Sequence, residues 1–149
     1  MSDKDFDRFV QKLQKEIIEK ELLEYNERIV NLFHNPKNWG KLPDEEISVS
    51  NSYMGSCGDT MQFFLSIKDN IIEKASFITD GCGASVATAS QTTLLIIGKS
   101  IDFAESLTQE EIDNALNGLP DDHKHCAKLA VDTLKRTIKK YKKKQGLND

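Results

Sequence analysis

Cysteine is scarce in this sequence, with three residues in 149, and long apolar runs are missing. No stretch approaches the roughly 18 consecutive apolar residues that span a bilayer, which argues against a transmembrane protein. The opening Met1-Ser2-Asp3-Lys4-Asp5 lacks a basic segment followed by an apolar one, so no secretory signal is read there. Its acidic residues do not suit a mitochondrial transit peptide either. The expectation is a cytoplasmic protein with no membrane association. Internal repeats and low-complexity linkers are also missing, and so is any Cys-x-x-Cys pair. In a reducing cytosol three thiols do not read as structural disulfides. They are either inert core residues or a metal site that lacks one ligand and is assembled from distant segments.

The composition that is present describes one globular domain with room for a core. The apolar fraction of 38% is ordinary and the charged fraction of 30% somewhat high, which fits neither a disordered nor a fibrous chain. The net charge of −4 conceals an asymmetry. Residues 135–144 carry seven positive charges and no negative one, which leaves the remainder near −11. Such a tail can bind nucleic acid. Because the other basic residues are scattered, the preferred reading is a helix C-terminus whose lysines complement the macrodipole and stay solvated.

Phe6, Phe9, Val10, Leu13 and Ile17 follow the helical period. Leu22, Leu23, Tyr25, Ile29, Val30 and Phe33 extend it, so one long helix is expected up to residue 34, or two with a break near Lys20 to Glu24. Asn35-Pro36-Lys37-Asn38-Trp39-Gly40 stops it by turn chemistry. From residue 47 the period becomes two, first in Ile47-Ser48-Val49-Ser50 and then in Met61, Phe63, Leu65 and Ile67. Lys68-Asp69-Asn70 turns the chain and 71–79 returns it. Residues 83–97 read as a buried helix ended by Gly98. Thr108-Gln109-Glu110-Glu111 is a capping box for a short helix to about Leu116. The last helix is expected from Asp121–His125 to about Lys143. The pattern predicts an α+β fold: a three-stranded antiparallel sheet with helices on one face, plus an extended N-terminal helix. Residues 1–34 are read as a helical extension and 35–149 as the main body of a single globular domain.

Each cysteine falls at a junction. Cys57 lies in Gly55-Ser56-Cys57-Gly58-Asp59, entering the long strand; Cys82 lies in Asp80-Gly81-Cys82-Gly83, where strand gives way to helix; Cys126 follows His123-Lys124-His125 at the start of the last helix. Unsatisfied N–H groups and the dipole at a helix start favour the thiolate, the form that binds metal. That argument predicts lowered pKa values for Cys82 and Cys126. The flanking glycines are expected to let backbone approach a bulky ligand. Soft thiolates select zinc or iron–sulfur clusters, and ligand type alone does not separate these. Asp59 and His125 compete for the fourth position. His123 and Lys124 are left open between a contact with the site and simple solvation.

Taken together, Gly-Ser-Cys57-Gly-Asp59, Asp-Gly-Cys82-Gly-Ala-Ser and His125-Cys126, preceded by Asn35-Pro36-Lys37-Asn38, resemble the U-type iron–sulfur scaffold family (IscU and the N-terminal domain of NifU) over about residues 31–143. The resemblance implies a scaffold, not an enzyme with turnover chemistry of its own. It implies a cluster, typically 2Fe–2S, held by Cys57, Cys82 and Cys126 with Asp59 or His125 beside them. It also implies sulfur delivered as persulfide by a cysteine desulfurase, with Cys126 as acceptor, and transfer to apo iron–sulfur proteins. Asp59 matches the aspartate associated with cluster lability and iron entry.

There are departures from the family pattern. The loop before Cys57 looks shorter than in bacterial housekeeping members. The family's Leu-Pro-Pro-Val-Lys stretch appears as Leu119-Pro120-Asp121-Asp122-His123, which counts against a dedicated heat-shock chaperone partner. The N-terminal helix is longer than usual, which suggests self-association or a cover for the sheet. The competing readings are a zinc-bound persulfide acceptor and a thiol enzyme using Cys126 and His125. Relatives of the zinc type carry an insertion between the second and third cysteine segments that this chain lacks. Adjacent side chains on a helix point about 100° apart, which sets the Cys126–His125 pair poorly for proton transfer.

Overall fold

The apolar periodicity at the start of the chain resolves into two helices in the computed structural model, which describes residues 2–146. They are α1, Asp3–Glu24, and α2, Glu27–His34. Asn26 makes the break. Its side-chain oxygen accepts from the Ile29 N–H at 3.0 Å and caps α2. Its amide nitrogen donates to the carbonyls of Leu116 and Gly118 at 2.8 and 3.0 Å. The helix entry is thus tied to a turn about ninety positions away in sequence. Of the stretch expected as an extension, α2 buries Ile29, Val30 and Leu32, whereas α1 buries no residue and leaves Phe6, Phe9 and Leu13 exposed. α1 packs against α2 and does not cover the sheet.

Three strands follow: β1, Val49–Met54; β2, Thr60–Lys68; β3, Ile71–Thr79. They form an antiparallel sheet in the order β1-β2-β3, with Tyr53 opposite Met61 and Phe63 opposite Phe77. The β2–β3 hairpin turns on Asp69 and Asn70, both at positive φ (53° and 63°), as a two-residue turn matched to strand twist requires. Met61, Phe63, Leu65, Ala75 and Phe77 are buried against α3, Gly83–Ile96, and α6, His125–Lys144.

Ten of the fourteen α3 residues are buried, hydroxyls included. Thr88 and Thr92 donate to the carbonyls of Ala84 and Thr88, and Thr93 to that of Ser90. Helix backbone therefore satisfies these hydroxyls and their burial carries little penalty. α4, Ile101–Ser106, was not foreseen; Ser100 caps it by accepting from the Phe103 N–H at 3.0 Å. α5, Gln109–Ala115, opens on the expected capping box, and a 3-10 turn over Asp121–His123 leads into α6.

The basic tail is less solvated than expected. Lys142 is buried along its stem and donates to Asp102 and Glu105 at 2.9 and 3.0 Å. Lys140 donates to the Ser50 carbonyl at 2.7 Å, and the Arg136 guanidinium lies 4.1 Å from the centre of the Tyr53 ring. Much of the tail's charge thus serves to hold α6 on β1 and α4. Among the described residues no helix is long and apolar enough to cross a membrane.

Candidate metal centre

Three junctions converge at one end of the sheet. The β1–β2 loop carries Cys57 and Asp59. It is closed by the Gly55 N–H donating to the Asp59 carbonyl at 2.9 Å and the Gly58 N–H donating to the Gly55 carbonyl at 3.0 Å. Gly58 sits at φ +90°, a conformation open to glycine and strained for other residues. Cys82 is the N-cap of α3, and its carbonyl accepts from the Ser85 and Val86 N–H groups. The segment before it is held to the start of β2. There the Thr60 N–H donates to the Asp80 carboxylate and the Thr79 hydroxyl to the Thr60 carbonyl, both at 2.7 Å. Cys126 is the second residue of α6.

The fold brings the sequence-derived residues into two adjoining groups. Cys57, Asp59 and His125 place one ligand atom each within 4.8 Å of one another, and Cys82, His123 and Cys126 do the same. The groups meet at neighbouring residues, with Cys126 Sγ 3.8 Å from His125 Nε2. Across the second group, Cys82 Sγ lies 3.9 Å from His123 Nδ1. His123, left open by the sequence, stands beside Cys82 and Cys126; Lys124 instead pairs with Asp113 at 3.2 Å. A small cleft of about 100 Å³, lined by Tyr53, Cys57, His125 and Leu129 among others, opens beside the first group.

The thiols differ sharply in setting. Cys57 and Cys82 are exposed and Cys126 is buried. Burial pushes the Cys126 thiol up to about 11. The neighbouring Cys82, Asp59 and Cys57 charges add to the rise, and the Ser85 hydroxyl at 3.5 Å opposes it. The helix-start argument for a lowered pKa at Cys126 is therefore corrected: loss of water outweighs the dipole. Nearby, burial, followed by the Glu24 and Cys82 charges, raises the Tyr25 hydroxyl to about 12.

The glycines around Cys82 also have a different use from the one expected. A Cβ at Gly81 would lie 2.5 Å from the Ser85 hydroxyl, and one at Gly83 2.7 Å from the Phe33 ring. These positions accommodate protein neighbours. The donor set of three thiols, two imidazoles and a carboxylate suits zinc or iron–sulfur chemistry and not a hard cation. Cys126 and His125 do approach each other, but a neutral buried thiol has little nucleophilic character.

A model of the NifU-like N terminal domain matches residues 24–148. The iron-sulfur cluster assembly scaffold protein IscU 1 of Archaeoglobus fulgidus is 39% identical over 125 residues, covering 84% of this chain and 81% of that protein. The IscU scaffold protein of Escherichia coli K12 is 36% identical over 124 residues, covering 81% and 96%. Among solved structures, the N-terminal NifU-like protein from Brucella abortus superposes with a TM-score of 0.65 at 18% identity, covering 81% of this chain and 96% of that one. A scaffold protein for the SUF system from Fervidobacterium islandicum AW-1 superposes with a TM-score of 0.59 at 22% identity, covering 78% and 98%. At these identities the structural matches speak for the fold alone.

Proposed function

This chain belongs to the NifU-like N-terminal domain family, and from that membership we propose that it is a scaffold on which an iron–sulfur cluster is assembled and from which the cluster passes to apo-proteins. The carrying observation is the pair of adjoining donor groups, Cys57/Asp59/His125 and Cys82/His123/Cys126, joined where His125 meets Cys126. Three thiols with nitrogen and oxygen donors beside them suit a binuclear 2Fe–2S cargo. Three thiols leave at least one weaker nitrogen or oxygen ligand, and Asp59 and His125 compete for that place. Such a set favours release over permanent retention.

The chain's own residues give loading a protonic side. Cys126 holds its proton near neutral pH, so taking up iron releases that proton. Sulfur is supplied by a cysteine desulfurase. A scaffold thiolate attacks the outer sulfur of the donor's persulfide, keeps that sulfur, and the donor leaves as a thiolate. Cys126 is the acceptor on this reading, and the start of α6 must open so that a protein donor reaches the thiol and water lets it ionise. The role is binding and transfer in the cytoplasm, without turnover chemistry. The partners are the desulfurase and apo iron–sulfur proteins, and the Leu119–His123 stretch counts against a dedicated heat-shock chaperone. α1 is the extension to a scaffold body in the remainder of the chain.

Anaerobic reconstitution with iron and sulfide, followed by iron and acid-labile sulfide analysis, tests the reading. A coloured, chelator-sensitive product with equal iron and sulfide is expected. Retention of one tight zinc with no uptake of iron would overturn it in favour of a zinc-bound sulfur relay.

A further inference from the structure

His123 stands in an unusual position among the groups around the centre, because its two ring nitrogens face different chemistry. Nδ1 faces the Cys82 sulfur at 3.9 Å. Nε2 faces oxygen: the Tyr25 hydroxyl at 3.1 Å, a Glu24 carboxylate oxygen at 3.5 Å and an Asp122 carboxylate oxygen at 3.8 Å. Ionised carboxylates only accept hydrogen bonds. Acceptors on this side suit the tautomer with its proton on Nε2, in which the lone pair sits on the other nitrogen. That lone pair is directed at the thiol group.

This is the arrangement of a metal-ligating histidine whose outer N–H is held by an oxygen acceptor. We propose that His123 is a metal ligand through Nδ1, completing a group with Cys82 and Cys126, and that Tyr25 is the positioning residue that fixes its ring and tautomer. The inference deepens the scaffold reading and rests on it.

The surrounding structure supports the positioning role. Tyr25 occupies the break between α1 and α2, beside Asn26, whose amide is bound to the Leu116 and Gly118 carbonyls. The same turn leads through Leu119 and Pro120 into the 3-10 turn that carries His123. Asn26 thereby sets the distance between the Tyr25 hydroxyl and the imidazole, and the two rings pack with centroids 5.3 Å apart. The position also departs from the motif of the resembling family. Where the Leu-Pro-Pro-Val-Lys stretch of the resembling family ends in lysine, this sequence ends in histidine. An ammonium has no lone pair to offer a metal, and a neutral imidazole has one.

Zinc alone, added to the sulfide-free full-length chain, is the probe. Affinity is read by competition with a chromophoric chelator, imidazole ligation by zinc X-ray absorption, and the His123 tautomer by ¹⁵N NMR. Three results are expected. His123→Ala loses one imidazole from the zinc shell and weakens zinc by about 10- to 100-fold, the scale of disrupted support around a site or more. Tyr25→Phe, which keeps the ring and removes only the hydroxyl, weakens zinc by about tenfold with the imidazole retained. The same variant changes the His123 ¹⁵N pattern. Wild-type affinity and ligation in His123→Ala, with the imidazole lost instead in His125→Ala, would overturn the ligand assignment. An unchanged ¹⁵N pattern in Tyr25→Phe would overturn the positioning role. Failure of the scaffold reading looks different: the wild-type chain would then keep one tight zinc and take up no iron and sulfide on anaerobic reconstitution, whatever His123→Ala does to zinc.

Discussion

Alkylation of the metal-free chain by iodoacetamide at pH 8 separates the buried thiol from the exposed pair. An ordinary thiol at 9.0 is about one-tenth ionised at pH 8, whereas one raised to about 11 is about one-thousandth ionised. The thiolate population of Cys126 is therefore lower by about 100-fold. The remaining thiolate is more nucleophilic, and a Brønsted slope near 0.4–0.5 returns roughly a factor of 6 to 10 over two pKa units. Ionisation alone thus slows Cys126 by about 10- to 15-fold relative to the same residue in the unfolded chain. Its lack of solvent exposure slows it further, because reagent reaches it only through local opening.

Peptide mass mapping over a time course should show Cys57 and Cys82 modified first and Cys126 last, with the difference erased in urea. The pH profile carries the sign. Below its pKa the Cys126 rate climbs about tenfold per pH unit and flattens only near 11, where an ordinary thiol has flattened near 9. Ser85→Ala removes the hydroxyl hydrogen bond that opposes the rise, so its profile should flatten at still higher pH. Labelling of all three cysteines at one rate, or a Cys126 profile that levels near 9, would refute the claim that desolvation dominates the helix start.

Asp59→Ala should slow cluster transfer to an apo-acceptor if the carboxylate makes one bond labile; an unchanged transfer rate would remove Asp59 from the release step. Gly81→Ala forces a Cβ to 2.5 and 2.6 Å from Ser85 Oγ and Cβ. It should cost about 1–3 kcal/mol in urea unfolding, the usual price of overpacking. Lys142→Met removes both charged hydrogen bonds to Asp102 and Glu105 and should lower stability by about 1–3 kcal/mol; no change in the unfolding midpoint would show that the two carboxylates find water instead.

β2 was readable by its alternation, and Met61, Phe63 and Leu65 are all buried as that pattern requires; Phe64 is buried as well, and β3 buries Ala75, Ser76 and Phe77 in a row, which alternation does not predict. The α5 capping box was readable because its chemistry is local to Thr108 and Glu111. α4 escaped notice because six residues offer only two buried positions, Ile101 and Ala104, too few to show a period; the serine before Ile101 was the available signal. The burial of Cys126 could have been seen. It lies one helical turn before Ala130 and two before Leu134, on the stripe that forms the core face of α6. The helix-start argument considered only the backbone dipole and ignored that stripe. His123 was not legible in the same sense. Its partners Tyr25 and Cys82 lie 98 and 41 positions away, and the Asn26 ties to Leu116 and Gly118, which no local pattern announces, help bring the first of them near.

The three cysteines reach the centre from a hairpin loop, a helix cap and a helix start, 25 and then 44 residues apart along the chain. Once the fold opens, chelation by any two of them must first close a loop of 25 residues or more, so cargo binds the native state in preference to the unfolded one. Cargo present at about 100 times its dissociation constant then adds about 2.7 kcal/mol to stability. Globally open molecules become rarer by about two orders of magnitude, and open molecules are what a protease cuts. Loaded chains should outlast empty ones, so that the half-life of the polypeptide becomes a gauge of how much iron and sulfur the cell can supply.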